Sequence, residues 1–324
     1  MKILVIKLGA LGDIILASAA FSAIKRQFPE SNLSLLTTPV YSPVVAGCPY
    51  FSRFFFFDRE KPFWLQAQKT SAALRKERFQ LVINLQNNFK SNLLARLSGA
   101  PERVGFQKGF WPGLLTKNAV YNRQENALWN LNRVLALAGT PAAEQPELYL
   151  TERARTEAET LLGNSGWNNE RLVGLHPGSS AGWQSKRWPA RHWVILAQAI
   201  SKSGAVPVFF GDAGEFSELE KMAAKVAGKV FNLAGKTPLS ILPAAIKRCR
   251  AFVSTDSGPL FIAAAAGIKT IGLYGPTEAR RHAPPGVISL EKKDLPCRPC
   301  RRKSCSQPLC LSRITPEEVL SLLP

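Results

Sequence analysis

The sequence predicts an α/β protein made of two doubly wound, Rossmann-like domains in tandem. Three observations carry this. Short continuous apolar runs alternate with helix-like stretches along the chain, the pattern of parallel strands covered on both faces. A second alternating set begins after a loosened stretch from Gly139-Thr140-Pro141 to Pro146. The chain has 324 residues, enough for two domains of ordinary size.

In chain order, the apolar runs predict strands at 2–7, 33–37, 54–57 and 80–85. Helical stretches fall at 13–27, 63–76, 88–98 and 126–138, and a polar helix at 151–163. Asn164 to Arg171 reads as a linker, so the expected domains are 1–163 and 164–324. The second set has strands near 172–176, 206–210, 229–233, 251–255 and 270–274. Helices near 189–202, 215–226, 239–247 and 259–266 separate them. Such sheets bind ligands beyond the carboxyl ends of their strands, so the expected site is a cleft between the two domains.

Lys and Arg number 42 against 23 Asp and Glu, a formal net charge of +19. That balance calls for an anionic partner: nucleic acid, an acidic membrane surface or a phosphorylated substrate. The cations are spread along the chain, which favours a basic face over a disordered arm. The longest apolar candidate, Gly258 to Tyr274, is interrupted by Lys269 and three glycines and does not read as a membrane span. The N-terminus looks superficially like a signal peptide, but Lys7 and Asp13 break its apolar core, so a cytosolic location is expected. Six cysteines in such a chain argue for thiols or a metal before disulfides.

Four stretches carry chemistry. "KLGALGDI" places Gly9, Gly12 and Asp13 where the first strand turns into a helix, so Asp13 is either a helix cap or a reactive group. "LVGLHPGSSAGWQSKRWP" follows a strand with a Pro-Gly turn, Ser179, Ser180, Lys186 and Arg187, groups that can hold and neutralise phosphate oxygens. Taken alone, it reads rather as a plain surface loop with a solvated basic pair. "FVSTDSGPLFIAAAAG" puts Asp256, Ser257 and Gly258 before a helix: Asp or Ser is a natural N-cap, and the helix start attracts a diphosphate. Cys297, Cys300, Cys305 and Cys310 have the spacing C-x2-C-x4-C-x4-C, which suits a structural zinc with four thiolates or a reduced, metal-free loop. No dinucleotide fingerprint or Walker pattern is present.

"KLGALGD", "HPGSS…KRWP", "FFGDAGE", "LAGKTPL" and "TDSGP…AAAAG…YGPT" occur in this order. In them the chain resembles glycosyltransferase family 9, the ADP-heptose:lipopolysaccharide heptosyltransferases. The resemblance implies a GT-B fold and an inverting transferase that needs no metal for chemistry. The N-terminal domain would hold a lipid-linked inner-core acceptor, and the C-terminal domain ADP-heptose or a similar nucleotide sugar. Asp13 would be the general base and Lys186 the cation on the departing diphosphate, so its loss is expected to touch catalysis more than folding. Ser179 and Ser180 would lie near the phosphates, Glu215 on the ribose, and Thr237 and Leu239 beside the adenine. Asp256, Ser257 and Gly258 would grip donor sugar and diphosphate. Gly9 and Gly12 would leave room for the acceptor sugar, and Lys90 would face its acidic groups. Three positions depart from the family pattern: Phe261 stands where a His is usual, Asn84 where the strand usually ends in an acid, and Asn126 where many members show His.

The first reading is therefore a heptosyltransferase, peripheral at the cytoplasmic face of the inner membrane, its basic surface on anionic lipid. A related transferase using another nucleotide sugar is the alternative, and Phe261 keeps a non-catalytic sugar-nucleotide binder open. A nucleic-acid module is the weakest reading, because no recognition motif accompanies the charge.

Overall fold

The computed structural model describes residues 1–107, 111–179 and 182–324. The chain divides into two compact units, Met1–Tyr149 and Leu150–Pro324.

The first unit contains β1 (Lys2–Ile6), α1 (Leu11–Gln27), β2 (Asn32–Thr37), β3 (Phe51–Phe56), α2 (Phe63–Glu77), β4 (Leu81–Asn84), α3 (Phe89–Leu97), β5 (Glu102–Phe106), β6 (Lys117–Ala119) and α4 (Ala127–Leu137). The six strands form one sheet in the order β3-β2-β1-β4-β5-β6. Every described pairing in it is parallel; Ile3, for example, pairs with Leu33 on one side and Leu81 on the other. Ile3, Leu4, Val5 and Ile6 are fully buried, as the continuous apolar run requires of a central strand with helices on both faces.

The second unit contains α5 (Glu152–Asn164), β7 (Leu172–His176), α6 (Ala190–Lys202), β8 (Val206–Phe209), α7 (Phe216–Ala223), β9 (Phe231–Asn232), α8 (Leu242–Lys247), β10 (Cys249–Thr255), α9 (Gly258–Ala265), β11 (Lys269–Tyr274), α10 (Ala279–His282), β12 (Ile288–Glu291), α11 (Leu309–Ser312) and α12 (Pro316–Leu320). Its sheet runs β12-β11-β10-β7-β8-β9, again parallel throughout the described pairings. In both sheets the strand order reverses beside the unit's first strand, between β1 and β4 and between β7 and β10. That reversal point is where ligands bind in open α/β sheets.

Two expectations are corrected. The division falls after Tyr149 rather than at 163/164, because α5 packs on α8 and Glu159 pairs with Arg248, both in the second unit. Strands β5, β6 and β12 were not expected at all. β5 is disguised by Arg103, whose side chain is satisfied by the carbonyls of Ala100 at 2.5 Å and Leu114 at 3.0 Å. Burial there pushes the guanidinium below its ordinary value, with Arg96 adding repulsion.

Candidate active site

In the second unit, the loops after β11, β10, β7, β8 and β9 follow one another along the carboxyl edge of the sheet, and they carry the donor-side candidates. Lys186 ends a short 3-10 turn, Gln184–Lys186. Its Nζ donates to Asp256 Oδ2 at 2.7 Å and to the Asp256 carbonyl at 3.3 Å, and lies 4.7 Å from the centre of the Trp183 ring. The two side chains are only 12% and 7% exposed, so this is a largely buried ion pair across the β7/β10 reversal. Thr277 Oγ1 donates to the same Asp256 oxygen at 2.8 Å. Lys186 is therefore also part of the structure's own charge balance, so its loss should cost stability as well as catalysis.

Ser257 holds the N-cap position of α9, but its hydroxyl does not cap the helix. It lies 3.1 Å from His176 Nδ1 and 3.0 Å from Ser254 Oγ. Asp256, meanwhile, is turned to Lys186. The sequence expectation of a side-chain cap is thus corrected: among the described residues no side chain caps α9, Pro259 has no N–H to offer, the Leu260 N–H donates to the Ser257 carbonyl at 3.2 Å, and the Gly258 N–H is left open. That N–H and the helix dipole attract an anion. His176 is buried at the end of β7, and burial pushes its imidazole down to about 4, with Asp212 pulling the other way. It is neutral near pH 7 and serves as a hydrogen-bonding post for Ser254 and Ser257.

Ser179 donates to the Trp183 carbonyl at 2.8 Å, closing the loop that carries Lys186. Ser180 lies outside the described residues. Glu215 closes a capping box with Asp212 and accepts from Arg187 at 3.0 Å. A Cβ on Gly178 would lie 2.5 Å from Glu215 Oε1, so only glycine lets this carboxylate sit against the Pro177-Gly178-Ser179 turn. Burial pushes the Glu215 carboxyl up, against the pull of the Asp212 N–H and of Arg187. Gly235, at φ +71°, brings the turn holding Thr237 and Leu239 against Ala213, where a Cβ would lie 2.9 Å from the Ala213 Cα. Ser179, Lys186, Glu215, Thr237, Leu239, Asp256, Ser257 and Gly258 thus all belong to the same sheet edge.

The first unit gathers the acceptor-side candidates at its own reversal point. Asp13 lies in the first turn of α1, exposed, and its Oδ2 accepts the Ala10 N–H at 3.1 Å. It holds the helix start with one oxygen; the other accepts no hydrogen bond among the described residues. Lys7, buried beneath, donates to the Leu85 carbonyl at 3.2 Å. Burial pushes its ammonium below the ordinary value, against the attraction of Asp13. Gly12 is half-buried in the same helical turn. Gly9, at φ +117°, has the Tyr41 ring where its Cβ would be, 2.5 Å away. The space expected there for a sugar is filled by Tyr41. Lys90 is exposed at the start of α3, with Nζ 5.2 Å from the centre of the Phe63 ring.

The four cysteines proposed as zinc ligands lie in and beside the loop before α11. Cys297 and Cys305 are exposed, Cys300 is half-buried and Cys310 is buried. Among the described residues no three or more His, Cys, Asp or Glu gather as a group able to hold a metal ion. Sequence reasoning missed His176, Thr277 and His282. His282, half-buried at the end of α10, is lowered by burial and by Lys186, Arg281 and Arg301, and raised by Asp256, so it belongs to the same electrostatic site. The "HPG" and "YGPT" turns were the available signals for the first two.

Two parallel-sheet units, with an ion-paired lysine and an open helix start at one strand-end edge, have the architecture of a GT-B glycosyltransferase. The chain matches the model of glycosyltransferase family 9 (heptosyltransferase) over residues 68–310 and belongs to that family. It is 27% identical over 321 residues to lipooligosaccharide heptosyltransferase 2 of Campylobacter jejuni, covering 96% of this chain and 94% of that one. Its fold resembles a glycosyl transferase family 9 structure from Veillonella parvula, with a TM-score of 0.87, 23% identity and coverage of 99% and 95%. It also resembles the ADP-heptose lps heptosyltransferase II of E. coli, with a TM-score of 0.82, 24% identity and coverage of 99% and 97%. The protein is accordingly a glycosyltransferase of heptosyltransferase type.

Proposed function

We propose that the protein transfers heptose from ADP-heptose to a lipopolysaccharide inner-core acceptor, with inversion at the anomeric carbon. The observation that carries this reading is the Lys186–Asp256 pair beside the uncapped start of α9, joined to family membership. An ammonium held by a carboxylate and a helix dipole suit a diphosphate leaving group, whose charge develops as the sugar–oxygen bond breaks. The acceptor hydroxyl attacks C1, the bond from C1 to the diphosphate oxygen breaks, and ADP departs with the bonding pair. Asp13 takes the hydroxyl proton through the oxygen that Ala10 does not use. Glu215 suits the ribose hydroxyls, Thr237 and Leu239 the adenine, and Lys90 an acidic group of the acceptor. No step is given to a metal.

The same reading puts the enzyme at the cytoplasmic face of the inner membrane. No helix among the described residues is long and apolar enough to cross a membrane. A net charge of +19 suits anionic lipid, where a Lys or Arg near the surface contributes roughly 1 kcal/mol. Trp64 and Leu65, 71% and 64% exposed beside Lys61, suit the same surface. The test is transfer from ADP-heptose to heptose-deficient lipopolysaccharide, followed by mass spectrometry. Transfer from a different nucleotide sugar alone would replace the donor assignment, and ADP-heptose binding without transfer would favour a binder.

A further inference from the structure

We infer that Arg298 is a positioning residue for the diphosphate cation, and that the segment 298–303 is a strap fixing both halves of the Lys186–Asp256 clamp. This deepens the donor-site reading above and rests on it. Arg298 has a side chain only 4% exposed, although it lies in a loop crowded with cations. Four of its five guanidinium N–H groups are used. Nε donates to the Gly275 carbonyl at 2.6 Å, Nη1 to the Lys292 carbonyl at 2.8 Å, and Nη2 to the Thr277 carbonyl and Glu291 Oε2, both at 2.8 Å. Arg301 N–H adds a bond to the Pro276 carbonyl at 3.0 Å. The three residues of the Gly275-Pro276-Thr277 turn are thus each held by this segment. From that turn, Thr277 Oγ1 reaches Asp256 Oδ2, the oxygen that also receives Lys186.

The same strap holds the other half. Ser185, next to Lys186 and buried, donates its N–H to the Lys303 carbonyl at 3.1 Å and its hydroxyl to the Arg302 carbonyl. The lysine and its carboxylate stand 70 residues apart, and both are referred to one six-residue segment. A planar guanidinium with a fixed fork of donors can brace several acceptors at once; an ammonium cannot match that geometry. Arg298 spends its donors on the carbonyls of Gly275, Lys292 and Thr277 and on Glu291. It acts through Thr277 and Asp256 on where Lys186 points.

The relay makes a prediction that simple loosening of the loop does not. Losing it should weaken recognition of the β-phosphate, the group that ADP has and AMP lacks, and spare the nucleoside. The test is calorimetric binding of ADP and of AMP to the full chain, wild type against Arg298→Lys and Thr277→Val. The temperature is set well below unfolding, and the folded state is checked by circular dichroism. We expect the wild type to prefer ADP, each variant to lose about tenfold in ADP affinity with AMP affinity held, and the double variant to be no worse than the worse single. Thr277→Val keeps side-chain shape, so it carries the test alone if Arg298→Lys does not fold. An unchanged ADP/AMP ratio in the variants overturns the inference, as does an equal loss for both ligands or a double variant whose losses multiply. A wild type with no preference for ADP overturns the donor-site reading, and the inference with it.

Discussion

Lys186→Ala separates two roles that one side chain holds at once. The ammonium lies 2.7 Å from Asp256 Oδ2, with the two side chains 12% and 7% exposed. Truncation leaves a carboxylate out of water with Thr277 Oγ1 as the remaining donor to that oxygen. Removing one partner of a buried pair costs about 3–5 kcal/mol, most of it the penalty of the stranded charge. For a unit the size of Leu150–Pro324, that corresponds to a fall in Tm of about 6–20 °C. Lys186→Ala with Asp256→Asn removes the stranded charge, so most of the lost stability should return. Binding of ADP should not return in full, because the ammonium assigned to the diphosphate is gone. Urea unfolding followed by circular dichroism measures the first quantity, and calorimetry with ADP the second. The reasoning is refuted if Lys186→Ala unfolds within about 1 kcal/mol of wild type. It is refuted equally if the double variant is no more stable than the single, or binds ADP as the wild type does.

Asp13→Asn keeps an oxygen for the Ala10 N–H but cannot accept a proton, so melting should hold while transfer falls by about 10²–10⁴; unchanged turnover would make Asp13 a cap alone. His176 titrates near 4 in the folded chain against an ordinary 6.5, so the unfolded chain binds the extra proton between those values. Its contribution is whole above pH 6.5, falls as pH drops toward 4, and amounts to about 3 kcal/mol. His176→Gln should flatten that part of the urea-midpoint profile, and an unaltered profile would show that the imidazole is not the group responsible. Native thiol titration should find Cys297 and Cys305 fast, and Cys48 and Cys249 slow, since burial pushes the latter pair up to about 11 and about 12. One zinc per chain, with the 297–310 thiols shielded until a chelator is added, would instead establish the structural zinc that the spacing suggests.

The alternation of strands and helices was legible because parallel strands bury both faces, so Ile3 to Ile6 and Leu172 to Leu175 read as unbroken apolar runs. β6 was not legible, with three residues and two of them exposed, nor was β12, whose residues are all half-buried. The residue types of the site were visible in their turns; the partnerships were not, since Lys186 and Asp256 meet only through the fold. Two departures from the family pattern also gain a physical reason. Asn84 is fully buried and its amide donates to Ser91 Oγ at 3.0 Å and Asn92 Oδ1 at 2.7 Å. A carboxylate could give neither bond, so the exchange of acid for amide belongs to the packing of α3 on the sheet. Phe261 is half-buried and packs beside Leu260, Tyr274 and Ala279, an apolar setting that suits a phenyl ring. The imidazole that does share the field of Asp256 and Lys186 is His282, one helix further along. The donor edge keeps its lysine and its carboxylate, so the absence of a histidine on α9 does not remove the groups to which the proposed mechanism gives the diphosphate.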